Sequence, residues 1–222
     1  MSYELTSDQR NALNEINNDL KSEEKMFRLL QGDVGSGKTI VALISCLNVV
    51  NSGYQVAFMA PTEILAYQHY KLAQSLLKDK IKIGFLTSKT DYAERKKIIK
   101  DLEINKIKIL FGTHSVFQEK INYKKLGLVV IDEQHKFGVK QREKISSEYE
   151  KQPHLIYMSA TPIPRTLALV LYENMNYITI SDKPSNREII KTTVYDDDSR
   201  KKIYDKVAFD DIPLELISNL KK

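Results

Sequence analysis

Apolar, β-branched clusters recur along the chain, and amphipathic stretches separate them. The clusters are Met26–Leu30, Gln55–Ala60, Ile81–Leu86, Lys106–Phe111, Leu126–Ile131, Leu155–Met158 and Tyr177–Ile180. Leu128-Val129-Val130-Ile131 is hydrophobic at every position, the pattern of a strand covered on both faces of a parallel sheet. Between the clusters, Asp8–Leu20, Lys38–Asn51, Glu63–Leu77, Tyr92–Leu102, Lys140–Tyr149 and Arg165–Tyr172 read as helices. Thr62, and Thr90 or Asp91, stand where N-caps belong. Such alternation predicts right-handed βαβ units in a three-layer α/β domain with a mostly parallel central sheet. A ligand site in that architecture belongs at the carboxyl ends of the strands. Further on, Ser181–Arg187 has linker composition and Glu188–Tyr195 reads as one more strand. Asp196-Asp197-Asp198 can open a helix to about Lys206, and Val207–Lys222, with Pro213 inside, is only weakly amphipathic.

Composition narrows the picture modestly. The 222 residues can bury one sizeable core and leave little room for a second full domain. With 34 basic and 29 acidic side chains the formal charge is +5, compatible with a nucleic-acid partner without establishing one. Lys96-Lys97 and Lys124-Lys125 read as solvated faces. The longest apolar run, Ile40 to Val50, is broken by Ser45 and Asn48, too short for a membrane span. The start lacks a signal pattern, and Cys46 has no second cysteine to pair with. A cytoplasmic protein with no membrane partner is expected. The histidines, His69, His114, His135 and His154, lie far apart with no cysteine partners, so a structural zinc site is not expected.

The chemistry concentrates in two places. Gly32-Asp33-Val34-Gly35-Ser36-Gly37-Lys38-Thr39 fits the phosphate-loop pattern GxxxxGK[ST], between an expected strand and an expected helix. Glycines let backbone N–H groups curl around phosphate oxygens, and the helix N-terminus adds a favourable dipole. Lys38 is placed to reach the β and γ phosphates and Thr39 to offer its hydroxyl to Mg²⁺. Asp132-Glu133 directly follows the apolar strand. At a strand end Asp132 would hold the Mg²⁺ shell, and Glu133 would orient and deprotonate an attacking water. Gln134 and His135 extend the same turn, with a coupling role expected for both.

At these residues the sequence resembles the superfamily 2 helicases. Leu5-Thr6-Ser7-Asp8-Gln9 is similar to their adenine-reading Q element, with Gln9 on the base edge and Tyr3 nearby. The phosphate loop is motif I, and Ala60-Pro61-Thr62-Glu63-Ile64-Leu65-Ala66 with Gln68-His69 resembles motif Ia. Gly112-Thr113-His114 corresponds to motif Ib, and Asp132-Glu133-Gln134-His135 with Phe137-Gly138-Val139 to an extended motif II. Ser159-Ala160-Thr161-Pro162-Ile163-Pro164-Arg165-Thr166 is similar to motif III. The resemblance runs from about Tyr3 to Tyr204. Gln134 favours the helicases of branched DNA over the related translocases that couple repair to transcription, which usually carry Glu there.

The resemblance implies a RecA-like P-loop NTPase domain that uses ATP and Mg²⁺ and binds DNA, as branched or forked duplex and as single strand. Thr62, Gly112, Thr113 and His114 would face the sugar–phosphate backbone. For Thr113 an ordinary helix cap is the competing reading, and both can hold together. Ser159 and Thr161 would link nucleotide state to DNA grip through motif II. Two departures stand out: Ser88 where the family generally has glycine, and Lys136 where it commonly has Arg. Nothing after Thr166 resembles the Gln-x-x-Gly-Arg-x-Gly-Arg element that carries arginine fingers. Arg187 and Arg200 lie outside any such pattern and read as solvated. The expected organisation is therefore a first RecA-like domain over 1–182, a linker with the opening strand and helix of a second over 183–206, and a divergent tail over 207–222. Because the Q element begins almost at Met1, the accessory domain that such helicases carry ahead of the motor is expected to be missing from this sequence. A second RecA-like domain is implied as a partner for full activity. Competing readings are a nucleotide-binding module without useful catalysis and a small-molecule P-loop kinase; the latter leaves motifs Ia, Ib and III unexplained.

Overall fold

The computed structural model describes residues 4–77, 80–117, 121–132, 152–161 and 175–182. The helices expected at Lys140–Tyr149 and Arg165–Tyr172, and everything expected beyond Asp182, lie outside these residues. By contact density the chain divides into Met1–Ser185 and Asn186–Lys222, and all described residues belong to the first unit.

The seven apolar clusters all form strands: β1 (Phe27–Gly32), β2 (Gln55–Met59), β3 (Ile83–Leu86), β4 (Ile109–Gly112), β5 (Leu126–Asp132), β6 (His154–Ser159) and β7 (Asn176–Ile180). The helices are α1 (Ser7–Lys21), α2 (Lys38–Asn51), α3 (Glu63–Leu77) and α4 (Tyr92–Glu103), with a 3₁₀ turn at His114–Phe117. Of the two candidate caps for α4, Asp91 serves, its Oδ1 accepting from the Glu94 N–H at 2.9 Å. Thr90 instead accepts from the Thr87 N–H within the preceding turn. The fourth strand starts later than its apolar pattern suggests because the chain must first turn out of α4. Asn105 takes a φ of 60° there, and the N–H groups of Lys106 and Ile107 both return to the Asp101 carbonyl.

The strands make one sheet in the order β3-β4-β2-β5-β6-β1-β7, and every described pairing is parallel. Alternate residues feed opposite faces. Val56 and Phe58 of β2, Leu128 and Val130 of β5, and Ile156 and Met158 of β6 pack on the side that receives α1, α2 and α3. Ala57 and Met59, Val129 and Ile131, and Leu155 and Tyr157 pack on the other side, with Ile98 and Leu102 of α4. The change of face follows from handedness: β1, β2 and β3 step outward through the sheet, then the chain reverses to β4, and a right-handed crossover in the reverse direction lands on the opposite face. Near-continuous burial of β2, β4, β5 and β6 explains why these strands read as unbroken apolar runs.

Candidate functional site

Parallel strands all end on the same rim, so the register lines up the motifs in space. Along that rim stand the ends of β4 (Gly112), β2 (Met59), β5 (Asp132), β6 (Ser159) and β1 (Gly32). Asp132 pairs with Met158 across β5 and β6, and Gln31 with Ser159 across β1 and β6. One strand therefore separates the acidic strand end from the phosphate loop, a gap of about 10 Å at ordinary strand spacing.

The loop has the geometry its sequence requires. Gly35 and Gly37 take φ values of 79° and 88°, a region that side-chain-bearing residues avoid. A Cβ on Gly37 would run into the Gln9 carboxamide, and one on Gly32 would lie 2.7 Å from the Ile180 carbonyl of β7. Asp33 organises the turn, its Oδ1 accepting from the Val34 N–H at 2.8 Å and its carbonyl from the Ser36 N–H at 3.1 Å. The Lys38 ammonium folds back into the loop and donates to the carbonyls of Gly32 (2.6 Å) and Asp33 (3.0 Å). Gly37 is the N-cap of α2, with no side-chain cap and no acidic residue in the first turn. In contrast, α1 and α4 are capped by Thr6 and Asp91 and carry Asp8 and Glu94 in their first turns. The leading N–H groups of α2 have no intrahelical acceptor by construction, so among the described helices this terminus is the one that suits an external anion. The buried Ser36 hydroxyl has no hydrogen-bond partner among the described residues. Uncapped helix, left-handed glycines and a lysine inside the loop together fit a phosphate chain, with Thr39 at the second helical position.

Gln9 is buried beneath the loop. Its Nε2 donates to the Ser36 carbonyl at 2.8 Å and its Oε1 accepts from the Thr6 N–H at 3.0 Å, completing a capping box. The Q element thus supports the phosphate loop directly, and this contact is new relative to the base-edge role expected from sequence. Its helix is held by a reciprocal clasp to the end of β7. Asp8 accepts from the N–H groups of Ser181 (2.8 Å) and Asp182 (3.0 Å), and Asp182 accepts from the Ser7 hydroxyl (2.6 Å) and the Asp8 N–H (3.3 Å). Those donations hold the Asp182 carboxyl below the usual carboxylate range.

Asp132, at the rim, meets a residue that the sequence placed in motif Ia without a role of its own. His69 Nε2 lies 2.6 Å from Asp132 Oδ2, with both side chains largely buried. Ser159 Oγ donates to the Thr161 carbonyl at 3.0 Å and lies 3.0 Å from its hydroxyl, so the two motif III residues are joined to each other. Glu133, Gln134 and His135, like Tyr3, Lys136, Phe137, Gly138, Val139 and Pro162–Thr166, lie outside the described residues.

The expected nucleic-acid residues occupy the other half of the rim. Thr62 caps α3, its hydroxyl accepting from the Leu65 N–H at 3.3 Å and its carbonyl from the Ala66 N–H at 3.0 Å. Thr113 precedes the 3₁₀ turn, its carbonyl accepting from the Val116 N–H and its hydroxyl 3.2 Å from that of Ser115. The side-chain cap is therefore present at Thr62, whereas Thr113 meets the backbone of the 3₁₀ turn through its carbonyl alone. Gly112 is explained by packing, since a Cβ there would meet the Leu86 carbonyl. His114 is exposed. Ser88 keeps an ordinary negative φ, so serine costs no backbone strain there. Its hydroxyl donates to Glu63 Oε1 at 3.2 Å, and Lys89 lies 2.8 Å from Glu63 Oε2. The Lys89 ammonium holds the Glu63 carboxyl below the usual range, and that carboxylate in turn raises Lys89.

Residues 6–170 match the family of DEAD/DEAH box helicases. The chain belongs to that family. It is 46% identical over 207 residues to the ATP-dependent DNA helicase RecG of Aquifex aeolicus, covering 92% of this chain and 26% of that protein. Against RecG of Thermotoga maritima the identity is 44% over 206 residues, with 92% and 26% covered. A solved structure of RecG bound to a three-way DNA junction superposes with a TM-score of 0.81 at 39% identity, over 93% of this chain and 28% of that one. The helicase domain described here thus spans about a quarter of the length of the relatives it matches. The three-layer RecA-like fold, inferred above from alternation and motifs, is the fold of the family.

Proposed function

We propose that this chain is the first motor domain of an ATP-dependent DNA helicase of the RecG type, which in the complete protein unwinds or remodels branched DNA in repair and recombination. The observation that carries the proposal is the shared rim: an uncapped phosphate loop, an acidic strand end and the motif Ia and Ib turns all project from one edge of one sheet. Gly32 to Thr39 bind the phosphates of ATP through backbone N–H groups, and Lys38 turns its ammonium to them. Gln9 orients the loop from below. Thr39 and Asp132 hold Mg²⁺, which neutralises charge on the phosphates. Glu133 takes the proton of the attacking water, and Gln134 and His135, with Ser159 and Thr161, pass the state of the site toward the DNA. Thr62, Gly112, Thr113 and His114 bind the backbone of single-stranded or forked DNA without reading sequence. A second RecA-like domain supplies the arginines that complete hydrolysis, worth about 10³ to 10⁵ in rate in related NTPases. Among the described residues no helix is long and apolar enough to cross a membrane.

ATP turnover by this chain, with and without forked DNA and with a separately supplied second motor domain, tests the reading. The chain alone binds nucleotide, hydrolyses it very slowly and unwinds nothing; adding the second domain and DNA raises turnover. Lys38→Ala removes nucleotide binding, whereas Glu133→Gln keeps binding and stops turnover in the completed motor. Brisk DNA-stimulated turnover by the chain alone contradicts the two-domain reading, and parental turnover in Glu133→Gln contradicts the base assignment.

A further inference from the structure

We infer that His69 is a positioning residue for the metal-holding carboxylate: it fixes the orientation of Asp132, and Mg²⁺ affinity at the nucleotide site depends on it. The inference rests on the reading of Asp132 as a magnesium-holding residue, and adds a residue from a different element to that function.

The geometry separates this role from core filling. His69 lies on the buried stripe of α3 between Ala66 and Ala73, whose small side chains leave the ring room to reach the sheet. Its ring sits 5.0 Å from that of Phe58 on β2, and Phe58 stacks on Phe111 of β4 at 5.1 Å. Both phenylalanines are almost wholly buried, so the imidazole rests against a wall that does not move. From there Nε2 meets Asp132 Oδ2 at 2.6 Å. An ionised carboxylate only accepts, so the shared proton belongs to Nε2. This short hydrogen bond to one oxygen, made by a ring packed on buried aromatics, constrains the plane of the carboxylate and hence the direction of the lone pairs of both oxygens. Partners of this kind orient ligands and tune affinity without touching the metal. Asp132 follows the core residue Ile131 at the very end of β5, so the bond from α3 anchors a side chain at the edge of the sheet.

The link also has direction. His69 is seven residues, about 10 Å of helix, from Thr62, which caps the end of α3 at the rim. One rigid helix thus joins a proposed DNA contact to the proposed metal ligand.

The test is a titration of the full chain with a fluorescent N-methylanthraniloyl ADP, at a series of free Mg²⁺ concentrations and in excess chelator. For His69→Leu the Mg²⁺ concentration giving half the metal-dependent gain in affinity rises by about tenfold or more, while affinity in chelator stays parental. His69→Gln, whose amide N–H can donate from nearly the same place, recovers most of that loss. A parental Mg²⁺ midpoint in His69→Leu overturns the inference and leaves the assignment of Asp132 intact. So does an equal loss of chelator affinity in both variants, which marks His69 as packing only. Nucleotide affinity of the parent that ignores Mg²⁺ removes the assignment of Asp132, and this inference with it.

Discussion

The two rims of the sheet treat polar side chains in opposite ways. At the amino rim the buried polar side chains are mostly bonded within the fold, with Asn105 Oδ1 an exception among the described residues. Gln55, fully buried at the start of β2, donates to the carbonyls of Leu102 (2.9 Å) and Ile107 (2.8 Å) and accepts from the Lys125 N–H (3.0 Å). Arg28 of β1 reaches Glu15 and Asp19 of α1 at 2.7 and 2.6 Å. His154 Nδ1 accepts from the Met26 N–H at 3.0 Å, and Lys25 donates to Gln152 at 2.9 Å. A cleft of about 890 Å³ opens there, and these last three side chains line it. At the carboxyl rim the bonding is left incomplete: α2 begins without a side-chain cap, two glycines take left-handed φ, and the Ser36 hydroxyl lacks a partner among the described residues. A polar group that serves stability uses its bonds internally, whereas one that serves a ligand keeps them and accepts local strain.

Substitutions at each rim can break this contrast. Gln55→Leu removes the side-chain partner of the Ile107 carbonyl and of the Lys125 N–H, while the Leu102 carbonyl keeps its bond from the Asn105 N–H. It should destabilise by about 3 kcal/mol and lower the melting temperature by roughly 6–12 °C, while leaving nucleotide affinity at the parental value. A thermal melt beside a nucleotide titration checks both halves; parental melting would place the amino rim outside the stabilising set. Gly37→Ala should do the reverse. Its left-handed backbone costs about 1–2 kcal/mol in stability, and its methyl group pushes Gln9 away from the Ser36 carbonyl. Nucleotide affinity should fall by about tenfold or more, equivalent to about 1.4 kcal/mol, measurable by calorimetry. Arg28→Met should cost only about 1 kcal/mol, because Glu15 and Asp19 are 55% and 25% exposed and regain water once the guanidinium is gone. A denaturant midpoint shift well above that would mean the pair is held more tightly than its exposure implies.

The smallest effect is a pH slope. Burial, ahead of the nearby charges, holds His154 below its ordinary 6.5, and its Nδ1 must stay unprotonated to accept from Met26. The unfolded chain therefore binds a proton at 6.5 that the folded chain refuses, and stability starts to fall as the pH drops below 6.5. Carboxylates act at lower pH. Lys82 holds Asp101, and the Ser7 hydroxyl with the Asp8 N–H holds Asp182, below 3.8. Their contribution is complete above that value and lost as the pH falls through the depressed folded values. In His154→Asn, whose carbonyl can replace Nδ1, the loss that sets in below pH 6.5 should disappear while the carboxylate loss below pH 3.8 remains. Melting curves across that range decide it; an unchanged slope would mean that His154 does not carry the upper limb.

The strands and the phosphate loop were readable because their signals are local. Leu128 to Ile131 announce a doubly covered strand, and the glycine spacing before Lys38 announces a loop with left-handed turns, within eight residues. His69 was harder to read. On its helix it is a histidine on an apolar stripe, a position that ordinarily signals packing, and its partner Asp132 lies 63 residues away. Gln55 gives no signal either, since a glutamine opening an apolar run reads as a boundary, whereas three backbone groups from separate segments converge on it. The Asp8–Asp182 clasp spans 174 residues.

The amino-acid sequence alone determined the alternation of strands and helices, the phosphate loop and the order of the helicase motifs, because each depends on residues within a turn or a strand of one another. Tertiary structure alone decided that β6 lies between the acidic strand end and the loop, which face each helix covers, and which polar side chains meet. Those outcomes depend on how distant segments share one sheet and one core, where burial forces each polar group to find whatever partner the packing brings within reach.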